Sequence, residues 1–560
     1  MYVDNIEVVK VGPIRLFRAL LDQLKIVETI NNNLRWDEKQ WKVSPGDLIS
    51  AVILAMFYGR RTLYKLEEFY EDQDLELIFG RSDLKPEDFN DDALGRALDR
   101  FAEGDFMRIL GSAFLLAKTI DHLKTGVSYA DTTTYQVWGE YEGEPFPWEV
   151  EPFLLARGYN KEGCFERKQF KLGLATTEEG IPFFGEPLSG DTDDKTWVKS
   201  FVEVFPRLRE ILGGMELLVV DAAAMTEDVL RMVGKEKIRL ISRLPETFNL
   251  CGELKEEALR HETWEEAAFA EDKERNADYR LQHFVREFAG GRYDFVVVES
   301  KPLMDQKAKT VERMVAKEKA VLEKGLLRLA KESFATRDEA EEAWRSHLGS
   351  LSPVYHALTC RYEEVEVRLK SNKRGRPAKD EPPVYERRWV IVPEIALLEE
   401  RVVREKALAG LFVLFSSAEG LSPSEVLKHY KGRSTIENRF AFLKDPRIVG
   451  PVYLKLPERI KALSYIMVLA LLVYSLFERR VREGLKREGK PYHVAGSYKT
   501  MRPQGKTLLE AFFAVSVLKI HGPSGVEWKL PKKVNEKAQR IVRLCGFEME
   551  IYVQPPKRAT

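Results

Sequence analysis

Residues 462–477 read ALSYIMVLALLVYSLF, and no side chain in this run is charged. A helix apolar on every side is stable in two places, the centre of a folded core or a lipid bilayer. A bilayer span needs roughly 20 apolar residues. This run has sixteen, contains Ser464 and Ser475, and is flanked by Lys461 and Arg479. It is therefore expected to be a buried helix around which other elements pack, with no membrane as partner. The start, MYVDNIEVVKVGPIRLF, has no basic segment leading into a long apolar one, so no signal peptide is expected. Cys164, Cys251, Cys360 and Cys545 lie far apart and match no zinc spacing, which points to reduced thiols in a cytoplasmic protein.

A chain of 560 residues exceeds a single core, and at ~150 residues per domain it divides into about three or four units. Residues 1–120 carry helical spacing throughout, with a helix start at Ser44-Pro45 followed by Asp47. Residues 121–245 change texture to a mixed α/β pattern. GVSYADTTTY is a strand, and 170–188 is a hairpin turning at Glu179-Gly180. A helix over 193–212 and two strands, MELLVVDAAAM and IRLISRLP, follow. Residues 246–405 interrupt this order with a charged helical stretch over 304–348 and strand-like pieces, and read as an α+β insertion. The α/β texture resumes over 406–480, beginning with the strand LAGLFVLFSS, and 481–560 form a C-terminal region.

The 88 basic and 89 acidic residues nearly cancel, so any nucleic-acid surface must be a local patch. One short run concentrates the right chemistry: HYKGRSTIENRFAFLK, residues 429–444. Ser422-Pro423-Ser424-Glu425 is a capping box that starts a helix just before it. At about 100° per residue, Tyr430, Arg433, Glu437 and Lys444 fall within a stripe roughly 60° wide. Gly432, and Ser434 with Glu437 as a second cap, predict a kink inside the run. Ile436, Phe440 and Leu443 form the neighbouring apolar stripe, which places Glu437 at the rim of the core. Two further acids sit on strands: Asp131 within GVSYADTTTY, and Asp221 at the end of MELLVVDAAAM. A carboxylate in an apolar strand is costly unless it is paired or binds a cation. Two strand aspartates and a helix glutamate can together hold two divalent ions, and Mg²⁺ suits all-oxygen ligands. Arg433 and Lys444 suit phosphates, and Tyr430 a phosphate or a base.

The Tyr430-Arg433-Glu437-Lys444 motif resembles the Y-R-E-K signature of DDE transposases from bacterial insertion sequences, the insertion-sequence-four superfamily. The resemblance runs from about residue 10 to 520. It implies an RNase H-like core, a mixed five-stranded sheet with flanking helices, interrupted between the second Asp and the Glu. Asp131 in YADTTT matches the first aspartate of that family and Asp221 in LLVVDAAAM the second. RGYNKEGCFERKQFKLGL (157–174) also looks like a family segment, with Tyr159 where histidine is common. The implied activity is metal-dependent cleavage and strand transfer at element ends, with two Mg²⁺ or Mn²⁺ ions on Asp131, Asp221 and Glu437. The implied partners are double-stranded DNA and a second copy of the chain.

Other features carry weaker signals. In SGDTDDKTW, Asp193 or Asp194 reads as a helix cap rather than a ligand. Arg374 and Arg376 in KRGRPAK lie in a Pro-rich basic linker of the kind that enters a narrow minor groove. The N-terminal helical region, with Lys10, Arg15, Arg18, Arg60, Arg61 and Lys65, is a candidate for binding element ends. No zinc-type histidine spacing and no GxxxxGK[ST] loop occur. Two rivals to a transposase remain: a DNA-binding descendant that does not cut, and a structure-specific nuclease built on the same core.

Overall fold

The computed structural model describes residues 5–59, 65–139, 141, 153–158, 166–261, 263–268, 278–368, 385–445, 454–523 and 525–556. The apolar run forms the middle of a 32-residue helix, Pro457–Glu488. From Ala462 to Phe477 every residue except Tyr465 is buried. Ser464 turns its hydroxyl back to the Ile460 carbonyl at 2.8 Å, which satisfies it without water. The helices Pro45–Tyr58, Asp91–Glu103 and Phe106–Asp121 cover this core helix from the N-terminal side. Bidentate ion pairs fix the contact at both ends: Arg459 with Asp99 at 2.7 and 2.8 Å, and Arg480 with Asp121 at 2.7 and 2.9 Å. The helix runs across the boundary drawn at residue 480, so the C-terminal region is joined to the core by continuous helix.

The first described element is a strand, β1 (Asn5–Lys10), where only helix was expected. Next, β2 (Val127–Gln136), β3 (Gln169–Thr177) and β4 (Pro182–Ser189) form an antiparallel meander, with Gly180 at φ +76° in the expected turn. The helix Asp194–Leu212, capped by Asp193, leads to β5 (Leu217–Val219). The helix Glu227–Lys235 leads to β6 (Arg239–Arg243). Both strands run parallel to β2, as crossover connections allow.

The central sheet is mixed, but it has nine strands rather than five. Its order is β4-β3-β2-β5-β6-β13-β9-β8-β7, adding β7 (Glu265–Glu266), β8 (Tyr279–Phe288), β9 (Gly291–Ser300) and β13 (Leu411–Ser416) in antiparallel fashion. The segment YDFVVVES, read as part of a separate insertion, therefore belongs to the main sheet. Its Val296, Val297 and Val298 are buried against the apolar β13, and that burial decides the pairing. The part that stands apart consists of the helices Lys301–Leu329 and Arg337–Gly349 and a three-stranded sheet of β10 (Ser333–Phe334), β11 (His356–Arg368) and β12 (Tyr385–Leu397). It has a small core of its own around Leu326, Trp344 and Ile391.

Beyond the core helix come a short hairpin, β14 (Tyr492–Ala495) and β15 (Tyr498–Thr500), and then β16 (Ser516–Gly522) and β17 (Gly525–Lys529). β16 pairs with β1, from Asn5↔His521 to Lys10↔Ser516. Six residues with a partner so distant in the chain leave no local signal, which is why the strand reads as nothing in sequence. Two of the cations offered for DNA are also spent internally. Arg15 is buried and donates to the carbonyls of Ile551 and Gln554, and Arg18 is buried between Asp22 and Asp47. Lys65 pairs with Glu68, and Lys10 is exposed on β1. Arg60, Arg61, Arg374 and Arg376 lie outside the described residues, as does Tyr159.

Gly173 in β3 has no room for a side chain, because an added Cβ would stand 2.1 Å from the Trp197 indole. Gly252, in the helix Asn249–Arg260, faces open space. Gly173→Ala is expected to destabilise the fold by roughly 1–3 kcal/mol through overpacking. Gly252→Ala is expected to stabilise it by about 0.5–1 kcal/mol through helix propensity. Urea denaturation of the two variants checks the opposite signs.

Candidate active site

The register of the parallel strands brings two acids level. Val127 sits opposite Leu217 and Tyr129 opposite Val219. Continuing two residues along both strands sets Asp131, in the middle of β2, beside Asp221, just past the C-terminal end of β5 where α/β sheets place their ligand sites. Asp221 caps the 3₁₀ turn Ala222–Ala224, taking the Ala222 N–H at 2.7 Å. Its own carbonyl accepts from the Ser242 hydroxyl of β6 at 3.0 Å. The Asp131 carboxylate accepts the Thr132 N–H at 2.8 Å.

The third acid arrives on a broken helix. The capping box at Ser422 and Glu425 starts the helix Pro423–Gly432, and a second helix, Ser434–Leu443, follows at once. The break falls at Gly432-Arg433, as the glycine suggests, but Ser434 does not cap it. Arg433 occupies the cap position without a side-chain capping bond, and Ser434 is already helical. The cause lies in the packing. An added Cβ on Gly432 would meet the Tyr129 hydroxyl at 1.9 Å, so only glycine lets the break lie on β2. Tyr129 and Asp131 share one face of that strand, and the next residue of the helix pair, Arg433, therefore reaches Asp131.

The Arg433 guanidinium is the meeting point. Its Nη1 lies 2.7 Å from Asp221 Oδ1, and its Nη2 lies 3.7 Å from Asp131 Oδ2 and 3.4 Å from Glu437 Oε1. Arg433 is 14% exposed, whereas Glu437 is 58% exposed at the rim. Burial alone would lower the arginine's pKa, but Asp131 and then Asp221 outweigh it and hold the pKa above the ordinary value. Arg433 was expected on a DNA phosphate; here it neutralises the acids, because three converging carboxylates need a cation. Among the described residues no three Asp, Glu, His or Cys side chains stand close enough to chelate a metal ion without rearrangement. The donors are nonetheless the hard oxygens that Mg²⁺ takes, and all three lie against the one guanidinium.

Tyr430 is half-buried, its ring 6.2 Å from that of Phe412, and burial raises its hydroxyl pKa. Lys444 is exposed at the C-terminal cap of the second helix, roughly 16 Å along the axis from Arg433 at 1.5 Å per residue. It shares the stripe but not the cluster. Arg243, which the motif does not include, stands at the end of β6 with its guanidinium 5.5 Å from the Phe412 ring centre, near Tyr430. Its signal was a basic residue closing an apolar strand, IRLISRLP. Asp194 pairs with the buried Lys171 at 2.9 Å and accepts from the Thr132 hydroxyl at 2.9 Å. Thr132 faces away from Asp131, so this group braces the opposite face of the sheet.

Residues 6–113 match the model of a family described as a domain of unknown function, DUF4277. That match covers the N-terminal helices and none of the acids. No curated protein matches the chain.

Removing the central cation leaves three carboxylates facing one another. Arg433→Gln is expected to cost roughly 2 kcal/mol, below the 3–5 typical of fully buried pairs because Asp221 remains partly solvated. Adding Asp221→Asn to that variant is expected to recover part of the loss. Chemical denaturation through the double-mutant cycle checks this coupling, and strict additivity contradicts the geometry.

Proposed function

We propose that the protein is a DDE-type DNA transposase of the insertion-sequence-four superfamily, cutting and joining DNA strands at element ends by metal-dependent phosphoryl transfer. The observation that carries this reading is the convergence of Asp131, Asp221 and Glu437, from three distant segments, on the Arg433 guanidinium. The half of the sheet ordered β4-β3-β2-β5-β6, with β5 and β6 parallel to β2, supports an RNase H-like core. The long excursion between β6 and β13 supports an interruption between the second aspartate and the glutamate.

Asp131, Asp221 and Glu437 are the residues that would hold two Mg²⁺ or Mn²⁺ ions. Such ions, when bound, lower the pKa of an attacking water or 3′-hydroxyl and stabilise the leaving oxygen. The protein's own part is positioning. Arg433 is a planar fork suited to a phosphate once the carboxylates have another counter-charge. Tyr430 offers its hydroxyl beside it, with Arg243 on the β6 side. Lys444 extends the same stripe outward along a bound strand. Double-stranded DNA is the substrate class, and joining two ends requires two copies of the chain.

Incubating the protein and Mg²⁺ with DNA that carries the gene's own flanking sequence is expected to give nicks at a fixed boundary. EDTA, and Glu437→Gln with Mg²⁺ present, are expected to bring cutting down to the same background. Cutting of branched DNA without boundary preference indicates a structure-specific nuclease instead. DNA binding with no metal-dependent cut indicates a non-cutting descendant.

A further inference from the structure

The helix Ser434–Leu443 is a partition. One face carries Glu437, adjoining Arg433, and turns to the strand acids. The next face, with Ser434, Thr435 and Asn438, lines a separate cleft of about 720 Å³. Its far walls are the C-terminal half of the core helix and residues 502–506, and the β3–β4 turn closes one end. The volume lies in the range of pockets that enclose a small organic ligand.

Charge decides what such a cleft can hold. Seven of its lining side chains are Lys or Arg and five are Asp or Glu. Three of the five acids are engaged within the cleft. Glu478, buried, takes Arg439 at 2.7 Å, Arg482 at 2.9 Å and the Gly505 N–H at 2.9 Å. Glu179 takes Arg479 at 2.9 Å, and Glu483 takes Lys486 at 2.7 Å. Lys124, Arg502 and Lys506 are exposed and have no carboxylate within ion-pair reach among the described residues. Burial, and the nearness of Arg439 and Arg502, lower the pKa of Arg482 despite Glu478, as expected where positive charge is in excess.

We propose that this cleft binds the phosphodiester backbone of a single DNA strand that continues from the acid cluster over the partition helix. This rests on the nucleic-acid reading of that cluster. A helix is about 10–12 Å across, a distance that an extended single strand covers in a few nucleotides. A strand seated at Asp131 and Asp221 therefore arrives at Lys124, Arg502 and Lys506 within a few nucleotides. Lysine and arginine side chains that meet phosphates carry no base readout, so the contact is independent of sequence.

The test is fluorescence anisotropy of the full chain with a labelled single-stranded oligonucleotide and its duplex, without divalent metal, across a salt series. The variant Lys124→Ala/Arg502→Ala/Lys506→Ala is expected to bind the single strand at least ~10-fold more weakly, with a salt slope shallower by about 2. Glu483→Gln, which releases Lys486, is expected to tighten binding about 2- to 3-fold, and a thermal melt of each variant separates misfolding from lost contact. Affinity within twofold of wild type and an unchanged slope in both variants overturns the proposal while leaving the acid cluster's role standing. A loss confined to duplex overturns the single-strand assignment. A wild-type protein that binds neither DNA form overturns the nucleic-acid reading itself.

Discussion

One guanidinium holds the centre of this molecule together. Arg433 touches carboxylates from β2, from the end of β5 and from its own helix pair, three segments far apart in the sequence. Three acids converging at a half-buried point repel one another and lose hydration, and neither cost is met by packing. The arginine offsets both, and its position depends on a glycine that lets the chain break against Tyr129. The order of dependence runs from Gly432 to the break, from the break to Arg433, and from Arg433 to the acids.

The core helix supplies the rigidity on which that point rests. It is buried along its middle and pinned by ion pairs to the N-terminal helices, and through Glu478 to Arg439 of the partition helix. Glu478 is thus shared between the element that carries Glu437 and the short helix that begins at Gly505. A buried carboxylate with three donors gives one arrangement a large advantage over its neighbours, since any shift leaves a charge without a partner.

Much of this was legible in sequence, and the exceptions share a cause. The core helix, the capping box at Ser422, the Glu179-Gly180 turn and the strands bearing Asp131 and Asp221 are written in local patterns of apolar spacing and turn residues. The pairing of β1 with β16 and the joining of β8 and β9 to the main sheet depend on partners far along the chain. Arg433 was legible as a residue that meets anions, but a motif does not say which anions are nearest. Arg15 and Arg18 looked like surface charge because an amphipathic helix is judged by its apolar residues, and their partners, Asp47 and the carbonyls of 551 and 554, lie elsewhere. Lys171 carried a readable hint, a lysine inside the nearly unbroken apolar strand FKLGL, which called for an acid within reach such as Asp194.

The pairing of residues 5–10 with residues 516–521 also sets a schedule. A ribosome adding about 5–20 residues per second reaches Ser516 roughly 25–100 s after Lys10 has been made. Throughout that interval β1, with Ile6 and Val8 on its surface, has no strand to join. The helices that follow it can condense early, but the three-stranded sheet of β1, β16 and β17 waits until β16 and β17 have been made, and a product stopped before Ser516 never closes it.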